Sequence, residues 1–245
     1  MHINIRITPE SETTLPFSAT TCPNSVPRTN KTAKPQYLYF AYGSNLSPTQ
    51  MKQRCIINPS LSAKPLAIAI LPKWRWLICE AGYANVLPPQ GMRVGPQNSK
   101  AASKVPISGT EDAVYGVLYE MDPADEELLD GYEGVDLDAE DADGSGEVGV
   151  DSRPKEQGEG DYNKWYLPAT VVKWIDEVEG GEHRLKTESG GQVPVLVYVD
   201  EERVMVSPPK TEYIARMNRA IRESVALGVS EKWVEEVMRR FIPAQ

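Results

Sequence analysis

The order of the strand-like segments limits the fold of this sequence more than any other feature, because they follow one another with little helix between them. Each segment is a short aliphatic and aromatic run bounded by Gly, Pro or polar residues, a pattern typical of strands. The segments are Tyr37–Tyr42, Ala67–Leu71, Trp74–Cys79, Val114–Glu120, Ala169–Ile175 and Val193–Val199. A doubly wound parallel sheet would need a helix after each strand, so we predict an α+β domain with an antiparallel or mixed sheet.

Capping signals predict where the helices begin and end. Ser or Asp followed by helix-forming residues starts a helix, Pro is favoured at the first helical position, and Gly often ends one. The expected helices run from Ser47 to about Cys55, from Asp122 to Gly134, from Ser207 to Gly228 and from Ser230 to Pro243. The apolar stripes of the last two are expected to pack on the core.

Two segments have compositions that do not favour a packed structure. Residues 1–35 are rich in Thr, Ser, Pro and Asn, and we expect a disordered N-terminal tail. Residues 136–161 are rich in acidic residues and glycine without periodicity, and we expect a disordered insertion within a domain spanning 36–245. The alternatives for the insertion are a lid or an acidic docking segment.

Charge and cysteine usage exclude several functional classes. The net charge of -9 disfavours nucleic acid as a partner, and no apolar run approaches the length of a membrane span. Cys22, Cys55 and Cys79 are odd in number and, like the two histidines, lack metal-ligand spacing. We therefore expect a cytosolic enzyme or binding protein with no metal, no cofactor and no membrane partner.

A strand-to-turn-to-helix junction at Tyr42–Leu46 is the first candidate site. Gly43 permits a tight turn, and backbone N–H groups at the start of the next helix have no helical acceptor. Such a turn can bind an anion. The alternative is an ordinary connection between two elements.

Glu133, near the end of the helix from Asp122 to Gly134, is the second candidate. It lies four residues after Leu129 and so projects from an apolar face, whereas Glu126 and Asp130 share a face that can meet solvent. Partial burial near the negative end of a helix dipole would raise the pKa of Glu133 into the range of a general base. The alternative is a buried partner for an arginine.

Together the two motifs resemble the γ-glutamylcyclotransferase family, whose members carry a YFAYGSNL-type strand and turn and, downstream, a glutamate in an EGV-type helix end. Here they stand at Tyr39–Leu46 and Glu133–Val135. The resemblance covers most of residues 36–242 outside the acidic segment. The FAYGSN form is similar to the broad γ-glutamyl-amino-acid branch of the family, and to fungal relatives, more than to the glutathione-specific branch.

The resemblance implies a small mixed or antiparallel β-barrel flanked by helices, and an enzyme that needs no cofactor. It would cleave a γ-glutamyl amide to 5-oxoproline and a free amine, with Glu133 as general acid and base. The residues implied to bind the γ-glutamyl group are Tyr39, Phe40, Ala41, Tyr42, Gly43, Ser44, Asn45 and Tyr198. The implied partner is a small-molecule γ-glutamyl compound, and homodimerisation is left open.

Two alternatives to the broad activity stay open at this point. One is the same chemistry on a narrow substrate, namely glutathione, a γ-glutamyl amine or a glutathione-derived intermediate of secondary metabolism. The other is a non-catalytic module that binds a small molecule. Release of 5-oxoproline distinguishes the second alternative from an enzyme.

Overall fold

Five strands close into a barrel in the computed structural model, which describes residues 37–98, 113–175 and 190–245. The seven strands of the described residues are β1 (Leu38–Ala41), β2 (Pro65–Pro72), β3 (Arg75–Ile78), β4 (Ala84–Leu87), β5 (Ala113–Tyr119), β6 (Asn163–Trp174) and β7 (Gln192–Val199). The order around the barrel is β1-β5-β2-β6-β7, and β3 and β4 form a separate hairpin. The predicted tail, residues 1–35, lies outside the described residues.

The short strand β1 closes the barrel by pairing with a different strand on each side. It is antiparallel to β5 and parallel to β7, where Leu38 lies opposite Val195 and Tyr39 opposite Leu196. The other barrel pairs are antiparallel. The predicted α+β architecture, a small mixed barrel flanked by helices, is confirmed. The hairpin strand β4 was not predicted as a strand; its Asn85 interrupts the apolar pattern but is buried and bonded to the Asp200 carbonyl.

Five α-helices flank the barrel in the described parts of the chain, and the longest of them follows the last strand. They are α1 (Pro48–Arg54), α2 (Pro59–Ser62), α3 (Pro123–Glu133), α4 (Thr211–Leu227) and α5 (Glu231–Glu236). The predicted caps are confirmed at both ends of α3. The Asp122 carboxylate accepts a hydrogen bond from the Ala124 N–H, and Gly134 ends the helix in the left-handed conformation at φ 62°.

The predicted start of α4 at Ser207 is wrong, because the helix begins four residues later. The Ser207 N–H donates to the carbonyl of Ile78, and the Lys210 N–H donates to the carbonyl of Gly82. These bonds hold the preceding segment extended along the β3–β4 hairpin. Hydrogen bonds to the hairpin therefore override the helix-capping signal of Ser207 and Pro208, and these residues stay outside the helix.

The acidic segment 136–161 packs against the barrel, so the prediction of an insertion without core contacts is wrong. Arg153 is buried and forms an ion pair with Glu201, which follows β7, at 2.7 Å. Val148 packs on the main apolar core. The acidic composition predicted solvation because a sequence pattern does not show that one internal arginine would pair with a distant buried carboxylate.

None of the helices in the described parts of the chain combines the length and the apolar character that crossing a membrane requires.

Candidate active site

A pocket of about 440 Å³ opens where the turn after β1, the end of α3 and the start of α4 meet. Tyrosines make up much of its wall, and both signs of charge are present. Its charged lining residues are Arg54, Glu133, Asp161, Arg203, Lys210 and Arg216. A cavity with this lining fits a small polar molecule that carries both charges.

The structure brings seven of the nine predicted site residues together at this pocket. They are Tyr39, Tyr42, Gly43, Ser44, Asn45, Glu133 and Tyr198. Phe40 and Ala41 are not among its lining residues. Phe40 lies on the opposite face of β1 from Tyr39 and packs closely over Gly116 of β5.

The turn after β1 is a short 3₁₀ helix over Ser44–Leu46. The Leu46 N–H donates to the Gly43 carbonyl at 3.0 Å, so this N–H is not free to bind an anion as the sequence suggested. The indole N–H of Trp76 donates to the Tyr42 carbonyl at 3.0 Å and fixes the start of the turn. A Cβ added to Gly43 would lie 3.0 Å from the Tyr213 hydroxyl, so glycine is needed there for space.

The Glu133 carboxylate lies in the pocket wall, held by two donors on one oxygen. Its Oε1 accepts from Nη1 of Arg54 at 2.6 Å and from Nδ2 of Asn45 at 3.2 Å. Burial raises the pKa of Glu133 above its ordinary value, and the Arg54 guanidinium offsets part of that rise. Both properties considered for Glu133 from the sequence, a raised pKa and an arginine partner, are therefore present together.

Asn45 supplies an unsatisfied polar atom beside that carboxylate. The residue is only 3% exposed, and its Nδ2 also donates to the Tyr39 hydroxyl at 2.8 Å. Its Oδ1 is buried and accepts no hydrogen bond from the described residues. A buried acceptor without a donor is costly, so this oxygen is suited to a donor brought by a ligand.

Behind the pocket, Asp130 anchors the predicted site residue Tyr198. The Tyr198 hydroxyl donates to Oδ1 of Asp130 at 2.6 Å, and Nζ of Lys164 lies 3.0 Å from Oδ2. The expectation that Glu126 and Asp130 share a solvent face is wrong for Asp130, which is buried. Helix spacing placed both residues on one face correctly, but it could not show that β6 would cover half of it with Lys164.

Several lining residues were not identified from the sequence, and they come from the acidic segment, the loop after β7 and α4. The Asp161 carboxylate pairs with Arg203 at 2.7 Å, and the Asp161 N–H donates to the Gly134 carbonyl. Asp161, the last residue of the acidic segment, therefore contributes to the pocket wall. Tyr213 was assigned to the core stripe of α4; it is buried as expected, but it also lines the pocket.

Comparisons with known proteins show which solved structures have a similar fold. No protein-family model matches the sequence, and neither does any curated protein. The crystal structure of YkqA from Bacillus subtilis has a TM-score of 0.50 at 16% identity over 86% of this chain, and this chain spans 57% of that one. At this identity the likeness is one of fold.

Two further solved structures are described as cyclotransferases. A γ-glutamyl cyclotransferase has a TM-score of 0.48 at 16% identity, with 86% of this chain and 89% of that chain covered. A γ-glutamyl cyclotransferase from yeast, described as specific to glutathione, has a TM-score of 0.42 at 13% identity, with 83% and 98% covered.

Proposed function

We propose that this protein is a γ-glutamyl cyclotransferase in which Glu133 is the general base and acid. The reaction closes the γ-glutamyl group on itself, releasing 5-oxoproline and an amine. The observation that carries the proposal is the position of Glu133, a largely buried carboxylate with a raised pKa that shares a pocket with the turn at Gly43–Asn45. The sequence motifs at Tyr39–Leu46 and Glu133–Val135 support the same activity.

The hydrogen bonds to Glu133 assign different tasks to its two oxygens. Both donors, from Arg54 and Asn45, bind Oε1. Within the described residues Oε2 accepts no hydrogen bond, so it is the oxygen suited to take a proton from the substrate. Arg54 holds the carboxylate in place and acts against the rise in its pKa.

The substrate's α-ammonium group must lose a proton before its nitrogen can attack. Oδ1 of Asn45 can accept one N–H of this group while Oε2 of Glu133 takes the proton. The amine nitrogen then attacks the γ-carbonyl carbon within the same molecule, so holding the chain curled supplies much of the acceleration. Glu133 gives this proton to the departing nitrogen as the bond to the γ-carbon breaks. It then takes the second proton that the ring nitrogen must lose and passes it to the released amine, which leaves as an ammonium ion, so the carboxylate is regenerated.

Replacing Glu133 with Gln tests this assignment, since the amide keeps the shape but cannot accept the proton. We expect Glu133→Gln to fold and bind a γ-glutamyl compound, yet to lose on the order of 10² to 10⁴ in kcat for 5-oxoproline release. Glu127→Gln, an exposed position on the same helix, is the control and should keep its activity.

If Glu133 served only as an ion-pair partner for Arg54, the outcome would differ. The Gln variant would lose stability, up to about 3 kcal/mol, because a largely buried guanidinium would be left without its counter-charge. Its folded fraction would keep normal turnover. The thermal midpoint, ligand affinity and 5-oxoproline release should be measured on one preparation.

The substrate range needs a panel rather than a single compound. γ-Glutamyl amino acids, glutathione and a γ-glutamyl amine without a carboxylate represent the broad and the narrow activities. Release of 5-oxoproline from several γ-glutamyl amino acids would support the broad activity. Release from glutathione alone, or from the amine alone, would support a narrow one.

A further inference from the structure

Tyr213, in the first turn of α4, presents its hydroxyl directly at the turn after β1. The side chain is 4% exposed and lines the pocket, and its oxygen lies 3.0 Å from where a Cβ on Gly43 would be. The Tyr83 ring packs edge-on against it at 5.0 Å between centroids. The Arg216 guanidinium lies 5.0 Å from the Tyr213 ring centre. The ring is thus fixed on both sides.

The hydrogen bonds at this hydroxyl determine what its proton can do. A phenol has one proton to donate and two lone pairs that accept. The backbone of Ala84 and of Ser44 acts to lower the pKa of this phenol. Among the described residues no hydrogen bond takes up its proton. Because the side chain lines the pocket, the hydroxyl is available to donate to a bound molecule.

Three other tyrosines of the pocket differ in this respect, because their protons are already used. The hydroxyl groups of Tyr42 and Tyr162 donate to backbone carbonyls, of Tyr198 and Ala84 respectively, and that of Tyr198 donates to Asp130. The Tyr39 hydroxyl accepts a hydrogen bond from the same Asn45 amide nitrogen that donates to Glu133, so it lies beside the proposed general base. Within the described part of the chain, the Tyr213 hydroxyl combines an unassigned proton with a position beside Gly43, on the side of the turn away from the Asn45 amide.

We propose that the Tyr213 hydroxyl is the oxyanion donor of the cyclisation, an inference that rests on the proposed function. When the α-amine lone pair forms the bond to the γ-carbon, the C=O π pair moves onto the carbonyl oxygen. Tyr213 donates a hydrogen bond to that oxygen without giving up its proton, while Glu133 removes the proton from the attacking nitrogen. The electron pair then returns, the bond to the leaving amine breaks, and Glu133 protonates the amine.

The local electrostatics keep this phenol protonated, as a hydrogen-bond donor must be. Burial and the nearby Glu133 carboxylate raise the pKa of Tyr213 to about 12, while the backbone of Ala84 and Ser44 and the charge of Arg216 act in the opposite direction. Burial raises the pKa of Tyr198 well above its usual 10, and its hydrogen bond to Asp130 raises it further. Donors fixed at the position where charge develops stabilise a transition state without reorganisation.

Replacing Tyr213 with Phe removes the hydroxyl and keeps the ring. We expect Tyr213→Phe to lower kcat for 5-oxoproline release on the order of 10² to 10³, the usual loss for one oxyanion donor, with little change in KM. Tyr119→Phe is the control: its hydroxyl is also buried and bonds to the Leu46 carbonyl, but it does not line the pocket. It should lose stability without losing kcat.

A second variant keeps the test decisive if the Phe variant folds poorly. Replacing Tyr213 with 3,5-difluorotyrosine lowers the phenol pKa and preserves a hydroxyl. Because a phenolate cannot donate, we expect kcat to fall at alkaline pH through a new limb that the wild type lacks over that range. An unchanged pH profile, or a Tyr213→Phe protein with near-normal kcat, would overturn the inference.

The proposed function and this inference fail in different ways. A wild-type protein that releases 5-oxoproline from no member of the panel contradicts the proposed function. An active wild type that loses activity in Glu133→Gln but keeps it in Tyr213→Phe contradicts only the role of Tyr213.

Discussion

Arg54 is the single residue that most directly controls the ionisation of Glu133. Its Nη1 lies 2.6 Å from Oε1, and both side chains are largely buried, where a charge interaction is only weakly screened. Its guanidinium also lies 5.1 Å from the Tyr132 ring centre. Arg54 is thus a positioning residue, acting on the reaction through Glu133.

Removing this charge should shift the pH dependence of catalysis. The folded pKa of Glu133 is already above 4.5 because of burial, and Arg54 lowers it, so Arg54→Met should raise it further. The base then stays protonated to higher pH, and the acid limb of kcat/KM should move upward. Arg54→Lys should restore part of the shift. Lys52→Met, exposed on the same helix, should leave the limb in place.

The same pKa shift also makes the stability of the protein depend on pH. Because the pKa of Glu133 is higher in the folded than in the unfolded state, its protonation stabilises the folded state fully below pH 4.5. This contribution to the free energy of unfolding is lost as the pH rises through the folded pKa. Stability curves of Arg54→Met should show a larger loss over that window than the wild type. An unmoved acid limb together with unchanged stability would contradict the role given to Arg54.

Glu133 and the turn at Gly43 could be identified from the sequence because each has a local signature. Glu133 lies near a predicted helix end, and Gly43 lies at a predicted strand-to-helix junction. Sequence reasoning missed Arg54 as the partner and Tyr213 as a pocket residue. Both depend on contacts between elements far apart in the chain. On α4 a buried tyrosine facing the core and one facing a cavity have the same spacing.

The acidic segment 136–161 is the element whose composition is the most misleading guide to its structure. Its attachment to the barrel depends on Arg153, which is bonded to Glu156 within the segment and to Glu201 outside it. Glu201 is also held by the indole N–H of Trp165. A buried charge network therefore helps to hold the segment, together with the packing of Val148 on the core, although the segment contains no helix or strand.

Breaking that network should destabilise the whole domain. Arg153→Met leaves the buried Glu201 carboxylate without its cation, and we expect a loss of about 3 to 5 kcal/mol in the free energy of unfolding. The matched control is Lys155→Met, whose partner Asp141 is exposed, and its cost should stay under about 1 kcal/mol. Urea unfolding measures both. Equal small losses would mean that the segment is not held in this way.

Closure of the whole barrel depends on the four residues of β1. Leu38 is buried at the parallel pairing with β7, so Leu38→Ala should cost about 2 to 5 kcal/mol. Leu137→Ala makes the same chemical change at a 61% exposed position and should stay within about 0.5 kcal/mol. Thermal and denaturant unfolding of the pair test whether closure at β1 supports the fold.

The strands and the α+β class were predictable because the apolar runs and their order are local properties. Closure of the barrel was predictable only through the family resemblance, since β1 pairs with β7, a strand far along the chain, and the apolar runs do not indicate which strands pair. The short strand β4 and the extended start before α4 were missed for a related reason. Both are stabilised by pairing with other segments, which sequence periodicity does not report.

The ion pair between Asp161 and Arg203 has a consequence for how the activity could be redesigned. Helices carry Glu133 and Tyr213, and the turn after β1 carries Asn45. Connecting segments, by contrast, carry Asp161 and Arg203. Loops tolerate replacement better than the elements they join. Directed evolution can therefore be confined to the connecting segments that carry Asp161 and Arg203. Changes there would alter which substrates enter the pocket, while the residues proposed to take part in the reaction stay in position.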